Sequence, residues 1–128
     1  AGMLDVPMAN EFLRERQSLI GTGGVVVMDE TTCMVRVACV ISYFFRDESC
    51  GQCTQCREGT GWMHRVIHRI ETGKGRPEDL DLLDDVAAKI AGRTICALGD
   101  AAAMPVASFI KHFRDEFQYH IDHKKCMV

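Results

Sequence analysis

The sequence predicts a mainly α-helical protein, a small four-helix bundle preceded by the remnant of an α/β domain. From about residue 32 onward, apolar residues recur at the spacing of amphipathic helices. Residues 24–29, rich in valine, are the one clear strand pattern. Because a lone strand cannot pair its own backbone, residues 1–31 are predicted to end a sheet domain whose other strands lie upstream. Residues 32–128 then form the helical domain.

The first two helices follow from short apolar patterns. ANEFLRERQSL at 9–19 predicts a short amphipathic helix. Residues 32–46 are predicted to form a largely buried helix. Their nine-residue apolar run, 37–45, is far shorter than the roughly 20 residues of a membrane span, so burial within the protein is the better interpretation. Cys33 and Cys39 are expected to pack in this helix as small core residues.

Three more helices complete the predicted bundle. Trp62, Val66 and Ile70 lie four residues apart and predict one buried helical face. Gly92 is placed to end the next helix, and Asp100 to cap the start of the last one. The predicted core positions of these two helices are Leu80, Leu83, Ala87 and Ile90, followed by Val106, Ile110, Phe113 and Phe117.

Composition narrows the class of protein. Hydrophobic residues make up 47% and charged residues 26%, as in ordinary globular domains. The net charge of −3 gives no electrostatic case for nucleic acid or an anionic membrane. No basic and apolar leader is visible at the N-terminus. Seven cysteines without secretory features favour metal or redox chemistry over a disulfide framework.

The main chemical motif is ESCGQCTQCREGTGW at 48–62, in which Cys50, Cys53 and Cys56 form C-x2-C-x2-C. On one regular helix these thiols would spread over about 9 Å and more than one face. They converge only if the segment curls, and Gly51 and Gly59 are expected to permit that. Three close ligands and a remote fourth are typical of a [4Fe–4S] cluster.

Cys96 is the best candidate for the fourth ligand. It lies in the short polar loop RTICALGD, between two predicted helices, where it could reach the first motif across one end of the bundle. Zinc is the alternative, although zinc sites more often use two separate cysteine pairs or mix cysteine with histidine. In that case the chain would be a zinc-stapled interaction module.

Two histidine patterns carry weaker signals. His64 and His68 lie four residues apart but lack the glutamate of the H-E-x-x-H motif, so a solvated helix face is the better interpretation. His120, His123 and Cys126 recur at steps of three and could bind a stray metal. A frayed polar tail is the expected outcome.

ESCGQCTQCREG, followed some forty residues later by TICALGD, resembles a known family. It is similar to the C-terminal part of the flavoprotein subunit of respiratory NADH:quinone oxidoreductase, complex I. GTGGVVVMDE resembles the end of that subunit's ubiquitin-like domain, and the two cysteine motifs resemble its iron–sulfur helical bundle. Related subunits of NAD-linked hydrogenases and formate dehydrogenases share the pattern, so those parents remain alternatives.

The resemblance implies that Cys50, Cys53, Cys56 and Cys96 hold a [4Fe–4S] cluster that takes electrons from FMN after NADH oxidation. It implies Ala97 and Leu98 as flavin neighbours. The implied partners are other iron–sulfur subunits of the peripheral arm, with no nucleic acid and no membrane insertion. The implied location is the cytoplasmic or mitochondrial matrix face of the inner membrane.

Two departures from the family pattern stand out. The family usually has proline where this chain has Gln55, which predicts only a modest effect on loop rigidity. The glycine-rich FMN and NADH segments have no match in this sequence. The chain is therefore expected to be a segment of the flavoprotein and to be inactive towards NADH by itself.

Overall fold

The computed structural model describes residues 5–16 and 18–128, and within them the chain is helical. The helices are α1 Asn10–Glu15, α2 Met34–Glu48, α3 Thr54–Glu71, α4 Asp79–Ile90 and α5 Leu98–His123. Helices α2, α3 and α5 pack on one another, and α4 packs on α3 and α5, which confirms the predicted bundle. Residues 1–4 of the predicted first domain, and Gln17 of the helix predicted at 9–19, lie outside the described residues. Within the described part, none of these helices has the length and hydropathy that crossing a bilayer requires.

The strand predicted at 24–29 is wrong for this structure. These residues form no strand, and Val25, Val26 and Val27 are 66%, 78% and 90% exposed. The β-branched sequence favours a pleated backbone, but a strand forms only where a neighbour supplies the hydrogen-bonding ladder. No such neighbour occurs among residues 5–16 and 18–128. The origin of residues 1–31 in a ubiquitin-like domain stays a prediction.

The predicted core is largely confirmed, with two exceptions. The residues that are buried as predicted include Leu80, Leu83, Ala87, Ile90, Val106, Ile110 and Phe117. Trp62 is half exposed, because the buried face of α3 is centred one residue further on, at Met63 and Ile67. Phe113 is 40% exposed and has a non-helical backbone that divides α5 into two parts. That break rotates the two halves of the apolar stripe relative to each other.

The connection between α4 and α5 is ordered by a glycine and a carboxylate. Gly92 ends α4 with φ +68, as predicted for a residue in the left-handed region. The prediction of Asp100 as an N-cap is wrong, because α5 begins earlier, at Leu98. The Asp100 carboxylate instead accepts a hydrogen bond of 2.6 Å from the Gly92 N–H. It therefore ties the end of one helix to the first turn of the next.

Two residues of α3 have different roles from those predicted. Gly59 lies inside the helix, and a Cβ added there would lie 2.7 Å from Cδ1 of Ile90. It serves close packing of α3 on α4 rather than curling of the cysteine loop. His64 is buried rather than solvated, with its Nδ1 atom 3.3 Å from the Ser42 hydroxyl, whereas His68 is exposed as predicted. Burial lowers the pKa of His64.

A buried ion pair joins α3 to the start of α4. Asp79 is fully buried and accepts hydrogen bonds from the Arg69 guanidinium, with Nε at 2.8 Å, and from the Arg76 N–H at 3.0 Å. Burial by itself raises the pKa of Asp79, but these hydrogen bonds outweigh it and hold the pKa below its ordinary value. The carboxylate is therefore satisfied in its charged form.

Candidate metal centre

The first cysteine motif occupies the turn from α2 to α3. Cys50 lies between the two helices, Cys53 immediately precedes α3, and Cys56 lies in its first turn. Gly51 has φ +81 and allows the sharp reversal, as predicted. The motif is therefore part loop and part helix, which turns the three thiols towards one side.

The second cysteine motif faces the first at the same end of the bundle. Cys96 lies in the connection between α4 and α5, and packing of α5 on α3 brings this connection to the N-terminus of α3. Cys50, Cys53, Cys56 and Cys96 all line one cavity of about 120 Å³. Its other lining residues are Glu48, Ser49, Gln52, Thr94 and Leu98. Organic ligand pockets typically measure roughly 300–1,000 Å³, so this cavity suits a compact inorganic group.

Polar groups already contact two of the cavity sulfurs. The Ile95 N–H donates a hydrogen bond to the Cys53 Sγ at 3.4 Å. The Ser49 hydroxyl lies 3.3 Å from the Cys56 Sγ. Donors of this kind stabilise negative charge on thiolate sulfur and set the potential of a bound redox centre.

Direct contacts join and stiffen the two cysteine segments. The Gln55 side-chain amide donates to the Arg93 carbonyl, so the residue that replaces the family's proline bridges the two segments. The Thr94 hydroxyl donates to the Cys96 carbonyl at 2.8 Å. Gly99 leaves room for Thr94, since a Cβ at Gly99 would lie 2.9 Å from the Thr94 Cβ. The second segment is therefore held by packing as well as by hydrogen bonds.

Arg57 supports the first segment from outside the cavity. Its Nη1 donates to the Gly51 carbonyl at 2.6 Å, and its Nε is paired with Glu58 at 3.0 Å. The guanidinium therefore holds the reversal at Gly51, while its pairing with Glu58 offsets its positive charge beside the cysteine loop.

The donor set fits a [4Fe–4S] cluster. Four thiols are available, of which Cys56 is buried and Cys53 half buried, whereas Cys50 and Cys96 are exposed where the cavity opens. Among the described residues, no histidine lines the cavity together with these four thiols, and ligation by cysteine alone is what a [4Fe–4S] cluster typically takes.

The two residues predicted to lie near a flavin follow the last cysteine. Ala97 immediately precedes α5 and is exposed, while Leu98 begins α5 and lines the four-cysteine cavity. Of the two, only Leu98 lines the cavity. Their role towards a flavin stays a prediction.

A second cluster of ligand atoms lies at the other end of the bundle, where the sequence pattern had indicated His120 and Cys126 but missed Cys33. Cys33, His120 and Cys126 place their ligand atoms within 4.8 Å of one another. His120 is 1% exposed, so the expected frayed tail is wrong at this position, although His123 is exposed. Cys33 and His120 are 87 residues apart in sequence, and no local spacing rule connects them.

A helical bundle with four cysteines around one small cavity is the construction of an iron–sulfur protein. The chain belongs to the family described as the NADH-ubiquinone oxidoreductase-F iron-sulfur binding region, whose model matches residues 36–120. The resemblance found in the two cysteine motifs is therefore confirmed, and with it [4Fe–4S] binding as the property of the family.

Individual relatives agree with this family. The F subunit of the NADH-quinone oxidoreductase of Mycobacterium tuberculosis is 48% identical over 123 residues, which cover 96% of this chain and 28% of the relative. An F subunit of the NADH-quinone oxidoreductase of Rhizobium meliloti is 49% identical over 95% of this chain and 28% of its own length. The chain thus spans about 28% of these curated relatives.

A solved structure shows the same fold. It is a crystal structure of NAD+-reducing [NiFe]-hydrogenase in the H2-reduced state, with a TM-score of 0.71 and 30% sequence identity. The match covers 75% of this chain and 17% of the hydrogenase chain. The bundle therefore also occurs within a hydrogenase.

Proposed function

We propose that Cys50, Cys53, Cys56 and Cys96 hold the [4Fe–4S] cluster, and that the chain is the electron-transfer domain of an NADH:quinone oxidoreductase flavoprotein subunit. The observation that supports this most is the meeting of four thiols from two distant segments around one cavity of about 120 Å³. Such a cluster supplies one-electron transfer. The protein supplies its ligands, its burial and its hydrogen bonds.

Within this function the chain's own residues have separate tasks. The Ile95 N–H and the Ser49 hydroxyl stabilise charge on two of the sulfurs, and Arg57 holds the turn of the first loop through the Gly51 carbonyl. The exposed side of the cavity, at Cys50 and Cys96, is where the flavin-bearing part of the protein would approach. On this proposal Ala97 and Leu98 face the FMN.

The rest of the electron path lies outside this chain. FMN held by the upstream part of the flavoprotein would supply the hydride chemistry with NADH, and this domain would relay single electrons towards iron–sulfur clusters of partner subunits. The complex would sit on the cytoplasmic or mitochondrial matrix face of the membrane. The chain by itself would not oxidise NADH, which an NADH:ferricyanide assay of the FMN-supplemented chain tests. Activity above that of free FMN would contradict this part of the proposal.

The same domain in an NAD-linked hydrogenase is the second candidate. The structural likeness to the NAD+-reducing hydrogenase supports it, at 30% identity. The relatives from NADH-quinone oxidoreductases, at 46–49% identity over nearly the whole chain, favour the quinone oxidoreductase. The nickel content of the complex purified from its source distinguishes the two candidates, because only the hydrogenase contains nickel.

Cysteine substitutions test the proposed ligands. Cys50→Ser, Cys53→Ser, Cys56→Ser and Cys96→Ser should each lose most of the reducible iron after anaerobic reconstitution, because serine is a poor replacement for thiolate. Cys39→Ser is the matched control, since Cys39 is half buried in α2 and does not line the cavity. Full retention of the cluster in Cys96→Ser, or equal loss in Cys39→Ser, would contradict the ligand assignment.

A further inference from the structure

A second group of metal-ligating side chains lies at the end of the bundle away from the four-cysteine cavity. Cys33 caps the N-terminus of α2, His120 lies in the last turn of α5, and Cys126 follows that helix. Both helices connect this end of the bundle to the four-cysteine end, and the 15 residues of α2 alone span about 22 Å. The two groups share no residue.

The distances at this end match those of a single metal ion. Cys33 Sγ lies 3.5 Å from His120 Nε2, and all three ligand atoms lie within 4.8 Å of one another. Ligands bonded at about 2.0–2.3 Å to a tetrahedral ion are roughly 3.5 Å apart. Among residues 5–16 and 18–128, no other group of three or more possible ligands has all its ligand atoms within 4.8 Å of one another.

His120 gives a second, independent observation. Its side chain is 1% exposed, and its Nδ1 atom has no hydrogen-bond partner among the described residues. Its other ring nitrogen contacts the Cys33 sulfur. Nε2 is therefore the ring nitrogen that would bind a metal ion beside Cys33. A buried imidazole is costly unless it has a strong partner, and an ion bound at Nε2 would supply one where a thiol contact alone is weak.

From this geometry we infer that Cys33, His120 and Cys126 bind one zinc ion. Two thiolates and a neutral imidazole are ligands that zinc prefers, and together with Zn²⁺ they form an uncharged complex suited to a half-buried site. Each thiol gives its proton to solvent when it binds, and no electron is transferred. The fourth position is open to water or to Glu116, whose carboxylate accepts a 2.9 Å hydrogen bond from the Met34 N–H.

The fold gives the ion both an entry path and a structural role. Cys33 and Cys126 line an open apolar groove of about 780 Å³, through which an ion reaches the sulfurs. Bound zinc would fasten the residues after α5 to the start of α2. It would close the end of the bundle that lies opposite the four-cysteine cavity, and it would be structural rather than redox-active.

Metal analysis of the cluster-loaded chain tests the site. The chain is reconstituted with iron and sulfide, incubated with ZnCl2 alone, desalted and analysed for both metals. About one zinc per chain should remain in the wild type, whereas Cys126→Ser and His120→Ala should retain only background zinc. Cys126 is exposed, so its substitution tests the site even if His120→Ala fails to fold.

Matched controls come from the same elements. Cys39→Ser in α2 and His123→Ala at the end of α5 should keep both zinc and iron. With ¹¹³Cd in place of zinc, the wild type should give one resonance typical of a site with two thiolates and a nitrogen. Zinc retention in Cys126→Ser, no zinc in the wild type, or a Cys33–Cys126 disulfide that persists under reducing conditions would overturn the inference. Iron is counted separately, so failure of the proposed cluster would be a distinct result.

Discussion

At the scale of single residues, Asp79 shows how one side chain links helix packing to pH. It lies in the first turn of α4, where a carboxylate suits the positive end of the helix dipole. The structure buries it completely and pairs it with Arg69. The Arg69 side chain, ten residues away in the sequence, meets Asp79 only because α3 and α4 pack together, so no local pattern indicates the pair.

Removing the partner of Asp79 should destabilise the bundle. Arg69→Met leaves a buried carboxylate without its guanidinium and should lower the free energy of unfolding by about 3 kcal/mol. Lys89→Met is the control, because the Lys89–Asp85 pair is more than half exposed on both sides and should change stability by less than about 0.5 kcal/mol. Urea unfolding at neutral pH measures both. Equal losses in the two variants would contradict the role given to the buried pair.

The same pair predicts a pH dependence. The pKa of Asp79 is held below its ordinary value of 3.8 in the folded chain, so its contribution to stability is present above about pH 4. This contribution is lost as pH falls through the folded pKa. The stability difference between the wild type and Arg69→Met should therefore shrink in acid, as seen in urea unfolding at a series of pH values. A difference that stays constant down to about pH 2 would show that Asp79 does not titrate as described.

At the scale of helices, the contact between α3 and α4 depends on a glycine inside α3. Gly59→Ala would place a methyl group 2.7 Å from Cδ1 and 2.9 Å from Cγ1 of the buried Ile90. Gly61→Ala is the matched control in the same helix, where the added Cβ meets only the Arg65 guanidinium at 3.4 Å. Both changes gain helix propensity, but only the first overpacks the core.

The two alanine variants should therefore differ in stability by about 2 kcal/mol, with Gly59→Ala the less stable. Thermal or urea unfolding of the two proteins measures this difference. Equal stability would mean that Ile90 moves aside without cost, and the close approach of α3 and α4 would not need a glycine.

Helical periodicity predicted the four bundle helices and most of their buried faces. It placed Trp62 in the core because a repeat of four residues does not show which side of the apolar face of α3 packs against another helix. It missed the break in helical geometry at Phe113, because no glycine or proline adjacent to this residue indicates a break. The valine-rich strand failed for a different reason, because no segment among residues 5–16 and 18–128 supplies it with a hydrogen-bonding ladder.

At the scale of the whole molecule, the bundle separates two groups of thiols. Three of the four cavity cysteines follow a short spacing, and the fourth lies in a neighbouring loop, so the group was readable from the sequence. The group at Cys33, His120 and Cys126 was readable only in part, because local spacing indicates His120 and Cys126 but Cys33 joins them only through the antiparallel packing of α2 and α5. Tertiary packing alone brings those residues together.

The central claim is a redox-active [4Fe–4S] cluster at Cys50, Cys53, Cys56 and Cys96, and EPR spectroscopy tests it most directly. The Cys33→Ser variant should be used, so that the proposed zinc site does not contribute metal. After anaerobic reconstitution the protein should be brown, contain about four iron atoms per chain, bleach on reduction and give the EPR signal of one unpaired electron. A colourless protein with one zinc at the cavity and no reducible iron would contradict the account.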